Sequence, residues 1–219
     1  MLRTLFAVAC AALLAACSSG APTTTDVPDD ISHVLDVKST FGPDYKVTTV
    51  APTGIDPRIL APQTLPPGVK FEPADCAKFA AGLALPAGLK GNMAATTAEG
   101  EGNRFIAIAV ETSEPVPLTD PGQACQKVGF AGPGSRGLVE VAESPTIDGA
   151  RTLGTHRVVQ TVVNGKPASG ELYNYVASFG SILVIVTANP LVLPNQPVAP
   201  VNTQRARDLL AAAVAAVRG

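Results

Sequence analysis

Few side chains in this 219-residue sequence have the types and spacing that catalysis or metal binding requires. Histidine occurs twice, at His33 and His156, and two imidazoles so far apart predict neither a metal site nor a catalytic triad. Ser135 lies in a Gly-rich loop, but Pro133 replaces the glycine that a G-x-S-x-G nucleophile elbow needs. We therefore expect no enzyme activity, no cofactor and no metal. A hydrolase site built from Ser135, His156 and a carboxylate is the alternative.

Two tyrosines offer a candidate ligand site. Tyr173 and Tyr175 alternate along one predicted strand, and His156 lies in another. Residues two apart on a strand share a face, and aromatic rings with a polar tip often line binding grooves. Tyr173, Tyr175 and His156 are therefore the predicted ligand-binding residues, with packing in or beside the core as the alternative interpretation.

The N-terminus contains the pattern of an export signal. One positive charge, Arg3, precedes an apolar run over residues 5–15 that is shorter than the roughly 20 residues a membrane-spanning helix needs. The run ends in Leu14-Ala15-Ala16-Cys17, which resembles the lipobox of bacterial lipoproteins, in which the cysteine thiol accepts a diacylglycerol before cleavage. We expect residues 1–16 to be removed and Cys17 to carry lipid. Residues 18–28, rich in Ser, Thr and Pro, would form a flexible tether.

The remaining cysteines predict a disulfide bond. Of the four cysteines, Cys10 lies in the predicted signal peptide and Cys17 in the lipobox, which leaves Cys76 and Cys125. Outside the cytoplasm, two remaining thiols usually pair. Because neither a C-x-x-C spacing nor a histidine cluster accompanies them, a redox or metal pair is the weaker interpretation.

Charge and length limit the class of protein. Lys and Arg number 16 against 18 Asp and Glu, and removal of Arg3 with the signal peptide makes the mature chain slightly more acidic. A weakly acidic chain without a basic stripe does not suit nucleic-acid binding. We expect a single domain over residues 29–219.

Hydrophobic periodicity and turn residues predict the elements of this domain. The first half of the chain predicts a short helix from Ile31 capped by Asp29 or Asp30, a strand at 45–50, and a proline-rich connection without regular structure to about residue 71. A helix from Pro73 that carries Cys76, a hairpin of 92–98 and 104–112, and a helix at 119–128 that carries Cys125 come next. The second half predicts strands at 137–143, 151–163, 171–178 and 181–188, followed by an amphipathic helix from Asn202. The loop at 132–137 would join a helix to a strand. The predicted fold class is α+β, an antiparallel meander flanked by helices, with the C-terminal helix packed on the sheet.

Several motifs of low specificity suggest a family. From Phe71-Glu72-Pro73-Ala74-Asp75-Cys76 onward, the chain resembles mycobacterial lipoprotein domains of unknown function. The layout of Asn164-Gly165, Tyr173-Asn174-Tyr175-Val176 and Leu183-Val184-Ile185-Val186 is also similar to PsbP-like domains and to PknH-like extracellular sensor domains. These resemblances imply an antiparallel sheet flanked by helices. The chain departs from the sensor pattern, since it offers one disulfide instead of two and has no tryptophan.

Together these features predict an exported lipoprotein. We expect the cell membrane, on its extracytoplasmic side, to hold the protein through its lipid anchor. The domain would act as a non-enzymatic binding or interaction module for an envelope protein, lipid or glycan. An envelope hydrolase and a structural accessory of an envelope complex are the alternatives.

Overall fold

The computed structural model describes residues 29–60, 64–65, 67–86, 88–163, 165–194 and 196–219. The predicted signal peptide, Cys17 with its predicted lipid and the predicted tether lie outside the described residues. So does Asn164, which the sequence places in a hairpin turn. Among the described residues, no helix combines the length and the apolar character that a bilayer crossing requires.

A nine-stranded antiparallel sheet forms the framework. Its strands are β1 (Lys46–Gly54), β2 (Lys70–Glu72), β3 (Gly91–Gly100), β4 (Asn103–Thr112), β5 (Lys127–Gly132), β6 (Ser135–Ala142), β7 (Arg151–Val163), β8 (Lys166–Phe179) and β9 (Ile182–Pro190). Their spatial order is β1-β3-β4-β9-β8-β7-β6-β5-β2. The predicted α+β architecture, with its meander through β6 to β9, is confirmed.

The described helical segments are short, except for one longer α-helix at the C-terminus. They comprise a 3₁₀ helix (Ile31–Thr40), α1 (Pro57–Leu60), a 3₁₀ turn (Ala74–Cys76) that continues into α2 (Ala77–Ala80), and α3 (Thr203–Arg218). Asp30 caps the first 3₁₀ helix, because its carboxylate accepts a 2.8 Å hydrogen bond from the Ser32 backbone N–H. Asn202 caps α3 in the same way through the Arg205 N–H, at 3.0 Å.

One face of the sheet, which we call the helix face, is covered by α3 and the first 3₁₀ helix. The apolar stripe of α3 packs there with Phe105, Tyr175 and the even-numbered residues of β9. Arg205 of α3 places its guanidinium 4.7 Å from the ring centroids of both Phe41 and Tyr45, so that cation–π contacts join the two helical segments to the start of β1. The predicted packing of the C-terminal helix on the sheet is confirmed.

The opposite face, which we call the disulfide face, is covered mainly by irregular segments. Odd-numbered residues of β9 pack there with Val116, Leu118 and residues of the proline-rich connection such as Ile55 and Ile59. Farther along the same face, Phe79 of α2 packs on β5 and β6. The Cys76–Cys125 disulfide is present, as predicted, and its Cα atoms lie 5.5 Å apart.

Two predicted elements differ in the structure. The predicted helix at 119–128 is wrong: residues 122–125 form a turn, in which Gly122 has a φ of +57°, and Lys127 begins β5. A left-handed glycine interrupts a helix, and Val128 and Phe130 alternate into the core as strand residues do. Consequently, the loop before Ser135 joins two strands instead of a helix and a strand.

The proline-rich connection also contains more regular structure than predicted. Strand β1 continues past Pro52 to Gly54, α1 forms at Pro57–Leu60, and β2 begins at Lys70. Proline is compatible with each place, because Pro52 lies on a strand at the sheet edge and Pro57 starts a helix, where no N–H donor is needed.

Truncating the apolar stripe of α3 should destabilise the domain. Leu210 is fully buried between α3 and the sheet, so we expect Leu210→Ala to lower the free energy of unfolding by about 2–5 kcal/mol. Urea denaturation followed by circular dichroism measures this. Leu193→Ala, the same substitution at a residue that is 42% exposed, is the control and should change stability little. Equal effects of the two substitutions would show that α3 does not stabilise the sheet.

Removing the disulfide should weaken the fold. The bond closes a loop with a sequence separation of 49 residues, and a native bridge of this kind contributes about 2–4 kcal/mol by restricting the unfolded chain. We expect Cys76→Ala/Cys125→Ala to lower the urea midpoint correspondingly. In the presence of reductant, the parent protein should have the same urea midpoint as the double variant. The midpoint of the double variant itself should not change with reductant. A parent midpoint unaffected by reductant would contradict the prediction.

Candidate functional site

The predicted ligand-binding residues lie in a row on the helix face. His156 of β7 opposes Tyr173 of β8 in the strand register, and their rings stack with centroids 4.2 Å apart. Tyr175 follows at 6.5 Å from Tyr173 and is fully buried in the core beneath α3. Its ring lies against Gly154, where a Cβ atom would come within 3.1 Å of the Tyr175 Cδ1. Tyr175 is therefore a core residue, and the Tyr173 ring stacks with those of both His156 and Tyr175.

Charged groups surround the outer end of this row. The His156 Nε2 atom lies 3.1 Å from Glu171 Oε2, and its Nδ1 atom lies 3.7 Å from Glu140 Oε2. Lys127 Nζ contacts Glu140 at 2.8 Å, and this hydrogen bond is the main reason that the pKa of the Glu140 carboxyl falls below its usual value. Burial, assisted by both carboxylates, raises the pKa of Tyr173. The outer part of the row is thus a paired ionic cluster.

The alternative hydrolase site is not assembled. His156 opposes Glu140 in the β6–β7 register, whereas Ser135 opposes Thr161. Five residues along β6 separate the two positions, a distance of roughly 17 Å at 3.3 Å per residue. Ser135 and His156 therefore cannot exchange a proton directly. In the described part of the chain, no three His, Cys, Asp or Glu side chains are placed to hold a metal ion.

A cleft opens on the disulfide face, away from the predicted residues. Its volume is about 440 Å³. The floor is formed by side chains of β6, β7 and β8, and the walls by α2 with the segment after it and by residues 116–119. The lining residues include Phe79, Leu83, Val116, Leu118, Thr155, Arg157, Asn174 and Val176. Most of this surface is apolar; its polar side chains are those of Thr155, Arg157 and Asn174 on the floor and of Lys78 and Thr119 on the walls.

Both walls of the cleft are fixed to the framework. The disulfide holds the start of α2 beside Cys125, and Phe79 is buried against the sheet. The opposite wall is fixed where the Ser178 hydroxyl donates a 3.3 Å hydrogen bond to the Val116 carbonyl. Anchored walls keep a cleft open without a ligand, which lowers the ordering cost of binding.

The floor carries a buried cation. Arg157 is only 9% exposed, and its Nη1 atom donates a 3.3 Å hydrogen bond to the Thr64 carbonyl. Burial lowers the pKa of Arg157 to about 10, which is still well above neutral pH, so the guanidinium is positively charged. Beside it, the Asn174 side-chain oxygen is buried and accepts no hydrogen bond from the described residues.

A second apolar cleft adjoins the first. Its volume is about 380 Å³, and it is lined by Ile55, Leu60, Thr64, Leu89 and Ile185 among others. Leu83, Ala84 and Pro86 line both clefts, so the segment at 83–86 forms the wall between them. The Thr64 carbonyl that Arg157 binds belongs to a residue of the second cleft, so the cation lies close to the boundary.

Sequence reasoning missed these residues although a signal was present. Arg157 and Asn174 alternate with His156 and the two tyrosines along β7 and β8, and alternation places them on the opposite face of the sheet. A charged residue between apolar positions of a long strand is unusual in a covered sheet and indicates a special environment.

Comparisons with known proteins place the chain in a family. Residues 30–218 match the model of a family described as a domain of unknown function (DUF5642). The chain is similar to the X-ray structure of an uncharacterized protein of Mycobacterium smegmatis, the Rv0999 ortholog, with 68% identity, a TM-score of 0.82 and coverage of 87% of this chain and 98% of that one. No curated protein sequence matches the chain.

The extracellular domain of PknH from Mycobacterium tuberculosis also matches, with 12% identity, a TM-score of 0.36 and coverage of 87% of this chain and 92% of that domain. A score at that level does not establish a shared fold. The predicted resemblance to mycobacterial domains of unknown function, in contrast, is confirmed. The chain belongs to the DUF5642 family.

Proposed function

We propose that the protein is a non-enzymatic binding module, anchored by lipid at the extracytoplasmic side of the cell membrane, and that its ligand site is the cleft on the disulfide face. The observation that carries the binding role is a mostly apolar cleft of about 440 Å³ whose floor carries Thr155, Arg157 and Asn174. Small-molecule sites commonly have this size and composition, with a few polar groups that orient the ligand.

The construction of the cleft supports the same role. Its walls are held by a covalent bond and by a hydrogen bond to the sheet, so that little structure has to be ordered when a ligand enters. Arg157 and Asn174 place a cation and a buried acceptor on the floor.

The lipid anchor is supported by the N-terminal sequence. The apolar run and the Leu14-Ala15-Ala16-Cys17 motif resemble lipoprotein signals, and the disulfide suits an oxidising compartment outside the cytoplasm. The match to the family begins at residue 30, which leaves residues 17–29 as the connection between anchor and domain.

Binding to the cleft can be tested with the neutral apolar dye N-phenyl-1-naphthylamine. We expect saturable fluorescence enhancement, and we expect Ala84→Trp to weaken it at least fivefold, because Ala84 lines both clefts at an exposed position where a large ring fills space without disturbing the core. Ala211→Trp, at an exposed position on α3, is the matched control and should leave dye binding unchanged. Absence of saturable binding, or equal loss in both variants, would refute the cleft as the site.

Membrane attachment should depend on one cysteine. Cys17→Ala should abolish incorporation of an alkyne-tagged fatty acid and shift the protein from the membrane fraction to the soluble fraction, since no thiol remains to accept the lipid. Cys10→Ala, in the predicted signal peptide, is the control and should be labelled and retained normally. A Cys17→Ala protein that stays in the membrane fraction would show that another feature anchors it.

A further inference from the structure

The polar side chains on the cleft floor form one compact patch. Thr155 of β7 directly opposes Asn174 of β8 in the register, and Arg157 is the next residue of β7 on the same face. Diagonal neighbours across an antiparallel pair lie about 7–8 Å apart, within reach of a long side chain. A single head group could therefore contact the Arg157 guanidinium and the Asn174 amide at once.

Arg157 and Asn174 match different chemical groups of a ligand. The guanidinium is a planar cation whose paired N–H donors match the oxygens of a carboxylate or phosphate. The buried Asn174 oxygen, which accepts no hydrogen bond from the described residues, needs a donor such as a hydroxyl or an amide N–H, because a buried unsatisfied acceptor is unfavourable. The head group that matches both side chains carries an acid group and, next to it, a hydrogen-bond donor.

The rest of the lining suits an alkyl chain. Phe79, Leu83, Val116, Leu118 and Val176 surround the polar patch. The other charged side chain of the lining is that of Lys78, an exposed residue of α2. The adjoining cleft continues the apolar surface beyond Leu83 and Pro86 toward Leu60 and Ile185. Such a surface favours a flexible hydrocarbon chain, whose burial is driven by the apolar area removed from water.

We propose that the cleft binds a single-chain anionic amphiphile that carries a hydroxyl or amide beside its acid group, with the acid at Arg157, the donor at Asn174 and the chain along the apolar walls. This inference rests on the proposed function of the cleft and adds the chemical class of the ligand. A 3-hydroxy fatty acid is the simplest molecule of that class.

Chain-matched lipids test the proposal on the unaltered protein. Dodecanoate and 3-hydroxydodecanoate, each below its critical micelle concentration, and methyl dodecanoate, below its solubility limit, would be titrated against bound N-phenyl-1-naphthylamine at pH 7.5. Because hydrogen bonds to charged groups are the stronger ones, dodecanoate should displace the dye at a concentration at least about tenfold lower than its methyl ester. The hydroxy acid should improve on dodecanoate about threefold or more, in line with one added neutral hydrogen bond.

Asn174→Leu separates the two contacts. This variant keeps the side-chain volume and removes the acceptor, so we expect it to lose the preference for the hydroxy acid while it keeps the preference for acid over ester. Arg157→Met should lose the preference for acid over ester. Arg157 is buried and binds Thr64, so folding of that variant is checked by circular dichroism; the comparison of acid with ester in the parent protein tests the charge even if the variant unfolds.

The outcomes distinguish the two proposals. If the dye binds but acid, hydroxy acid and ester displace it equally, the ligand class is refuted and the cleft stands as an apolar site. If the acid is preferred without any advantage of the hydroxyl, the role of Asn174 is refuted. If no dye binds at all, the proposed function itself fails.

Discussion

The architecture depends on strand β9, which is apolar on both of its faces. Its residues from Ile182 to Ala188 are all buried, and a strand of that kind requires cover on both sides of the sheet. The described residues form one long α-helix, α3, and this helix with the first 3₁₀ helix covers one face. The other face is left to short and irregular segments.

This difference between the two covers explains where the clefts lie. An amphipathic helix presents a regular apolar stripe that packs closely against a sheet. Loops must also keep their backbone N–H and C=O groups paired or hydrated, so they pack less evenly on an apolar surface. The clefts of about 440 and 380 Å³ both lie on the disulfide face, where proline-rich and irregular segments meet the strands.

The disulfide compensates for the weakness of that cover. Helix α2 has four residues, far fewer than the roughly 12 that an isolated helix needs for even marginal stability in water. Its position therefore depends on Phe79 in the core and on the Cys76–Cys125 bond beside it. The same bond that restricts the unfolded chain also fixes one wall of the cleft, so stability of the fold and shape of the proposed site depend on a shared contact.

Local signals in the sequence predicted the framework well, and long-range packing accounts for the rest. The hairpin at Glu101-Gly102, the meander and α3 follow from turn residues and from hydrophobic period, which act within a few positions of the chain. The failed helix at 119–128 depended on a capping pattern that Gly122 interrupts and that pairing of β5 with β6 overrides. The cleft on the disulfide face could not be predicted, because alternation shows that Arg157 and His156 point to opposite faces but not which face receives the irregular cover. That depends on contacts between segments far apart in sequence.

The place where the chain enters the domain bears on how the proposed site would reach a ligand. The Asp30 N–H donates a 2.9 Å hydrogen bond to the Val217 carbonyl, so the connection from the proposed anchor arrives at the C-terminal end of α3, on the helix face. The cleft opens on the other face. If Cys17 carries lipid as proposed, residues 17–28, which span at most about 40 Å when fully extended, would keep the domain close to the bilayer. Within that distance the domain can turn its disulfide face toward the membrane surface, and an amphiphile could then pass between bilayer and cleft without crossing bulk water.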